Sequence, residues 1–390
     1  MTTSTRSPGL PESYYAPAFV VEVEDKPLDP RTNGDVLEIV VRMDLDKLTS
    51  VDLKLNNYDD TTFDLKWTDS DRFAIGRRIH VQLGYADRVL SLMRGFITTL
   101  SPDFPADGPP TLGVGGIDAL AKLNHSKPPE HEVTYEKLRD YQIAQRIADR
   151  HGIPIEVTEQ GPQHQLVVQR NVDDALFLRE RARLIDFDVF MRTDPKTKQD
   201  KLFFVSPKDG RGQASIRTYV LRWGTVRNAD VAPNLIEFKP TVTAGRQVQS
   251  VTVRGWNPDT KQAISQTATV QNSPGVRGRP RRTGPDMAAE LGGPSGRQDV
   301  VVDRPVATDE EALTLAKALL AHRSYEFHTA RGKLIGLPDL QPDDNVEIHG
   351  VGVRFGGLYH VTSVTHTLNE RGYLTEFEAR DCQVTETGTA

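Results

Sequence analysis

The 390 residues predict a β-rich α+β protein with two antiparallel β-domains, each a small barrel or sandwich, an inserted α+β domain and a long flexible linker. Three observations carry that expectation. Short alternating apolar runs fill residues 17–117, with no helical period among them. The period changes to that of amphipathic helices within 118–210. Alternating runs then return and end in 336–381, GLPDLQPDDNVEIHGVGVRFGGLYHVTSVTHTLNERGYLTEFEARD.

Residues 1–16 are polar and proline-rich and read as a flexible arm. The first barrel, 17–117, is built from FVVEV at 19–23, VLEIVVR at 36–42, SVDLKL at 50–55, RIHVQLG at 78–84, LMRGFITTL at 92–100 and TLGVGGI at 111–117. Apolar residues at every second position put one face of each strand in a core and the other in water. The polar stretch 56–73 is a long loop. In the α+β unit, 134–151 places Leu138, Tyr141, Ala144, Ile147 and Ala148 on one helical face, with Thr134 as N-cap and Gly152 and Pro154 as the stop. A second amphipathic helix, 171–185, carries acidic residues in its first turn, where the helix dipole favours them. The short apolar run 165–169 lies between the two helices, and 188–191 with 202–205 makes a hairpin.

The second barrel begins over 211–256, with strands at 218–222, 234–240 and 247–255. Residues 257–307, rich in Gly, Pro and Arg, are expected as a mobile linker. Within 308–331 one helix runs from Asp309 to His328. Thr308 and Glu311 form its capping box, and Ala312, Leu315, Ala316, Leu319 and Leu320 form its buried face. Residues 332–382 complete the barrel, with turns at Pro342–Asp344, Gly356–Gly357 and Asn369–Gly372, and 383–390 is a tail.

Composition narrows the function. The net charge is −6, from 54 acidic and 48 basic residues, which argues against a broad electrostatic grip on nucleic acid. The single cysteine, Cys382, excludes an intramolecular disulfide and a zinc site built from cysteines. The first residues show no signal-peptide pattern, and no apolar run reaches the ~20 residues of a membrane helix. Synthesis in the cytoplasm is the expectation.

Two segments look alike. Ile79-His80-Val81 followed by Met93-Arg94-Gly95-Phe96-Ile97 matches Val346-Glu347-Ile348 followed by Phe355-Gly356-Gly357-Leu358-Tyr359. A true repeat would make the two barrels related. Beyond this, GRRIHVQLGY at 76–85, MRGFI at 93–97, GIDAL at 116–120, QRNVDDALFL at 169–178 and VRGWNP at 253–258 resemble, in order and spacing, segments of one family. The closest of these matches is at the end: Gly336-Leu337-Pro338, 355–359, His366 and Gly372-Tyr373-Leu374-Thr375. The chain resembles the phage late-control D family, the baseplate hub proteins of contractile tails and injection systems, and the hub-like N-terminal part of VgrG. The resemblance spans 17–382, with 257–300 unmatched.

The resemblance implies a structural protein and not an enzyme. It implies a homotrimer whose two tube-protein-like barrels per chain form a pseudo-sixfold ring. Such a ring adapts a hexameric inner tube to a trimeric spike, beside baseplate wedge proteins, in a particle assembled after cytoplasmic synthesis. It implies no cofactor.

The chemistry-bearing residues agree with that. No catalytic, cofactor-binding or metal set is legible: His360 and His366 stand six apart on one strand without carboxylates at ligand spacing. Asp173-Asp174 reads as a helix cap rather than a catalytic pair, and no nucleophile-elbow, phosphate-loop or zincin motif is present. Trp67, Trp223 and Trp256 are far apart and read as core or interface residues. One basic cluster stands out, Arg277, Arg279, Arg281 and Arg282. Its Arg-Gly-Arg-Pro core resembles AT-hook minor-groove binders, but a single copy on an acidic chain reads first as a charged linker or as a loop that touches an acidic neighbour. A minor-groove DNA binder and a cell-wall hydrolase carried at the tip of such a machine are the alternative functions.

Overall fold

The computed structural model describes residues 16–124, 126–128, 132–193, 199–207, 217–224, 234–272, 281–292 and 296–385. Its first part contains β1 (Pro17–Val23), β2 (Lys26–Pro27), α1 (Pro30–Gly34), β3 (Val36–Asp44), β4 (Ser50–Asn56), β5 (Tyr58–Asp59), β6 (Asp64–Leu65), β7 (Arg78–Tyr85), β8 (Arg88–Asp103) and β9 (Thr111–Asp118). Alternation does what the sequence requires of it. In β4, Val51, Leu53 and Leu55 are buried while Asp52 and Lys54 face water. These residues join Ile39, Val41, Ile79, Val81 and Leu83 in the first core, where each fully buried side chain contributes about 1.5–3 kcal/mol.

The following unit contains α2 (Ala121–Asn124), β10 (Glu132–Arg139), α3 (Asp140–His151), β11 (Ile155–Val157), β12 (Gln163–Arg170), α4 (Asp174–Leu184), β13 (Asp188–Thr193) and β14 (Asp200–Val205). Helix α3 starts at Asp140, not after Thr134. Residues 132–139 instead pair antiparallel with β12, Tyr135 opposite Val167. Val133, Tyr135 and Leu138 fit either period, and the available partner strand decides in favour of the strand. The helix does end as expected, on Gly152 in the left-handed region at φ +63°.

The remainder contains β15 (Thr218–Arg222), β16 (Leu235–Val242), β17 (Ser250–Asn257), β18 (Gln262–Thr269), β19 (Arg281–Thr283), α5 (Gly284–Leu291), β20 (Gln298–Val301), α6 (Asp309–Tyr325), β21 (His328–Ile335), β22 (Asn345–His349), β23 (Gly357–Asn369), β24 (Gly372–Asp381) and β25 (Gln383–Thr385). The stretch 257–307, expected as a linker, therefore holds regular structure. Strands β18, β17 and β20 form a three-stranded sheet, and α6 covers it. Ala312, Leu315, Ala316 and Leu320 meet Val251, Val253, Ile264 and Ala268 there. Only Ile264 and Ala268 of β18 are buried, too weak a pattern to read before the covering helix is in place. Residues 273–280 and 293–295 of that stretch lie outside the described residues. The capping box of α6 forms as read, but the helix ends at Tyr325, and His328 opens β21.

Thirteen strands form one sheet with a duplicated plan. One lobe runs β1-β7-β8-β9-β4-β3, and the other runs β15-β22-β23-β24-β21-β16. Matched strands come in the same order along the chain. All matched neighbours are antiparallel except the first pair, where β1–β7 is antiparallel and β15–β22 parallel.

Bulges also coincide. One falls at Ile97/Thr99 in β8 and at Val361/Ser363 in β23, and another at Val36/Glu38 in β3 and at Leu235/Glu237 in β16. A bulge re-aims a strand at a defined residue, so equal placement is specific. Aligning the bulges sets Val36-Leu37-Glu38-Ile39 on Leu235-Ile236-Glu237-Phe238 and Gly95 on Tyr359. The likeness of 79–97 to 346–359 seen in the sequence thus has a structural basis, with the second strand shifted by two residues. The lobes join where Ser363–Asn369 of β23 pairs with β3, beyond the segment that pairs with β22. A second core, with Leu221, Val346, Ile348, Tyr359, Val361 and Phe377, fills the second lobe.

Candidate functional site

The basic cluster lies beside the C-terminal strand. Strand β19 pairs antiparallel with β25, Arg282 opposite Val384, and the Arg282 guanidinium forms an ion pair with Glu290 of α5. Arg281 takes part in the same backbone ladder. Arg277 and Arg279 lie outside the described residues. The tryptophans divide. Trp67 packs edge-on against Phe73 and donates its indole N–H to Asp35, whereas Trp223 and Trp256 are exposed.

Several charged side chains in the α+β unit pair with each other. Asp173 occupies the N-cap of α4 but makes no capping hydrogen bond with its side chain. Asp174 turns inward, is fully buried and accepts hydrogen bonds from Arg150, His151 and Gln169. A second knot joins this unit to α6. His164 lies between Asp140 Oδ2, at 3.0 Å, and Glu311 Oε1, at 2.6 Å, and Arg181 pairs with Asp140. Burial alone would push the Asp140 carboxyl up, but hydrogen bonds from His164 and the Arg181 charge hold it below the usual range. Burial opposes charge on His164 too, and its two carboxylate partners still raise its pKa.

A third cluster sits where β13 meets the second lobe. Asp188 begins β13, Asp343 lies in the turn before β22, and His360 lies on β23. All three side chains are buried, and one ligand atom from each lies within 4.8 Å of the others. His360 Nε2 is 3.8 Å from Asp343 Oδ1, and His360 Nδ1 is 3.3 Å from Asn345 Oδ1. Asp188 Oδ2 is buried and accepts no hydrogen bond from any described residue. Burial pushes the Asp188 carboxyl up to about 7 despite the attraction of Arg380. The sequence reading missed this set. Its members come from three distant segments, and Asp343 read only as a turn residue.

His366, one of the family-matching residues, is fully buried between the lobes' strands. Its Nε2 donates to the Leu340 carbonyl at 3.1 Å, which leaves Nδ1 to accept from the Tyr373 hydroxyl at 2.9 Å. Burial holds its pKa down to about 4. Asp118, in the family-like exit from β9, accepts the backbone N–H groups of Thr49 and Leu120, and burial pushes it up to about 6.

Among the described residues, clefts open to solvent include the following two. One is lined by Glu22, Asp25, Arg78, His80, Arg94 and Lys122, among others. Within it Arg78 and Arg94 pair with Asp25, and His80 pairs with Glu22. The other lies between β3 and β13, around Met43, Lys47, Phe190 and Pro342. Neither is lined by Asp188, Asp343 or His360. The β8–β9 hairpin projects past the first core, with Phe104 exposed just beyond β8.

The family described as the Alg8 N-terminal domain matches residues 16–370. No curated protein matches the sequence. Among solved structures, the 43 kDa tail protein of prophage MuSo2 from Shewanella oneidensis is similar at a TM-score of 0.66 and 14% identity. That match covers 94% of this chain and 100% of the prophage protein. The tail protein from Neisseria meningitidis MC58 follows at 0.63 and 14%, covering 94% and 97%. An E. coli component of the type VI secretion system, described as structurally similar to the T4 tail proteins gp27 and gp5, has a TM-score of 0.55 at 15% identity and covers 88% and 73%. The fold is thus that of phage tail proteins.

Proposed function

The chain belongs to the Alg8 N-terminal domain family, and from that membership and its tail-protein fold we propose that it is the structural baseplate hub of a contractile phage tail or phage-tail-like injection system. The observation that carries the proposal is the duplicated strand order, six strands in each lobe, with bulges at matching places. Two such lobes are the two tube-like barrels of the hub. The lobes offer two similar docking faces per chain, and three chains closed around a threefold axis offer six. A hexameric inner tube can then seat on one side of the ring while a trimeric spike seats on the other. The α+β unit between β9 and β15 leaves the sheet and braces the ring, next to baseplate wedge proteins.

The role is mechanical, and its parts are surfaces rather than a reaction centre. The carboxylate clusters support this reading: those of Asp140, Asp174 and Asp188 are buried, where a polymeric cell-wall substrate has no access. The basic run at Arg277, Arg279, Arg281 and Arg282 is assigned to an acidic neighbour in the assembly rather than to DNA, because the chain as a whole is acidic, with a net charge of −6. Mass measurement in solution tests the proposal. Three copies of the 43.4 kDa chain should weigh about 130 kDa. A chain that stays monomeric both alone and with its tube and spike partners contradicts it.

A further inference from the structure

We propose that Asp188, Asp343 and His360 form a binding site for a divalent cation of the zinc and manganese class, which pins the α+β unit to the second lobe. The donors are mixed, two carboxylates and one imidazole, a set that suits these ions better than a soft thiolate-binding one. Metal–ligand distances of about 2.0–2.2 Å put two ligands of one ion at most about 4.4 Å apart. The present spread, within 4.8 Å, needs only a small side-chain adjustment to close on an ion.

The orientation of His360 points the same way. Asn345 Oδ1 can only accept, so it fixes the proton of His360 on Nδ1. Nε2 then faces Asp343 Oδ1 at 3.8 Å as a lone pair facing a carboxylate. A ligating histidine held through its other nitrogen by a neighbouring acceptor is the usual arrangement in metal sites. The second, independent observation is Asp188. Its Oδ2 is buried and accepts no hydrogen bond from any described residue, and one oxygen of the same carboxylate belongs to the cluster. A buried carboxylate left without a partner costs free energy that a bound cation removes.

The competing account is a long-range ion pair with Arg380, which stacks 3.7 Å over the Tyr325 ring and attracts Asp188 through space. The two accounts differ in what happens to Asp188→Asn. As a metal ligand, Asp188 is needed. As the partner of buried Arg380, its replacement by a neutral isostere leaves that charge uncompensated and destabilises by the same amount whether or not metal is present.

The test uses the full chain, purified without a polyhistidine tag, with Zn²⁺ and Mn²⁺ as separate probes. Metal content is read by elemental analysis, affinity by calorimetry and stability by thermal melting with and without EDTA. The expected result is close to one ion per chain, lost in Asp188→Asn and in His360→Gln. At a hundredfold excess of metal over Kd the melting temperature should rise by roughly 5 °C, and EDTA should reverse the rise. Asn345→Ala should weaken binding by about 10–100-fold while leaving the ligands in place. If the variants fail to fold, the wild-type chain alone decides. Substoichiometric metal together with the same melting temperature in Zn²⁺, Mn²⁺ and EDTA overturns the proposal. So does Asp188→Asn lowering the melting temperature by the same amount with added metal and with EDTA.

Discussion

Replacing His366 by glutamine should flatten the acid limb of the protein's stability. His366 is fully buried, donates from Nε2 to Leu340 and accepts at Nδ1 from Tyr373, so its folded form is neutral. Burial holds its pKa down to about 4, against 6.5 for the free group. Between those values the unfolded chain binds a proton that the folded chain does not. Stability is therefore complete above pH 6.5 and falls as the pH drops toward 4. Linkage makes the loss about 2 kcal/mol by pH 5 and about 3 kcal/mol by pH 4. Asp118 acts in the opposite direction. Its folded pKa is raised to about 6, so the folded state holds a proton there and gains stability as the pH falls through that value. The total profile thus mixes signs, and the informative quantity is the difference between wild type and His366→Gln. Urea unfolding of both proteins from pH 4 to 7.5 measures it. The gap between their stabilities should narrow by about 3 kcal/mol on going from pH 7 to pH 4. Parallel curves across that range would refute the burial argument.

Three further outcomes follow from the same packing. Gly336→Ala should destabilise by about 1–3 kcal/mol or more in thermal melts, because its Cβ would fall 2.2 Å from the Tyr373 ring. Asp140→Asn should cost roughly 3–5 kcal/mol, since it takes a carboxylate away from buried His164 and Arg181, and a smaller loss in urea titrations would mean that Glu311 suffices. Phe104→Asp, on the exposed tip of the β8–β9 hairpin, should shift stability by less than about 0.5 kcal/mol yet weaken co-assembly with tube or spike protein in pull-downs. An unchanged pull-down would remove that hairpin from the docking face.

How much of this was legible beforehand depended on where each element finds its partner. Strands β3 and β4 could be read directly because one face of each is buried in a core and the other is largely wet, which writes the alternation into the residues. Strand β10 could not, because Val133, Tyr135 and Leu138 satisfy a helix equally well until β12 lies alongside. Strand β17 was read as a strand, but β18 and β20 beside it depend on α6 to cover few small apolar side chains, so their polar, glycine-rich stretch looked like a linker. The repeat was visible as two short motifs, but its extent emerges only from pairing order and bulges, which leave almost no residue signature. VLEI against LIEF is most of what survives. The cluster of Asp188, Asp343 and His360 has no local spacing at all, since folding alone brings its members together. His366 stood out in the sequence only as a residue that matches the family pattern. Its hydrogen bonds to Leu340 and Tyr373 show why the position suits histidine, with one donor and one acceptor required.

The central claim is that one chain supplies two equivalent lobes and three chains supply six. Electron microscopy of the assembled protein, viewed down the ring axis without imposed symmetry, tests it most directly. The account predicts a closed ring of six similar lobes that averages cleanly under threefold symmetry, with a density step between alternate lobes where the parallel β15–β22 pair replaces the antiparallel β1–β7 pair. A ring with any other number of lobes, or an assembly in which the two lobes of a chain occupy unrelated positions, would contradict it.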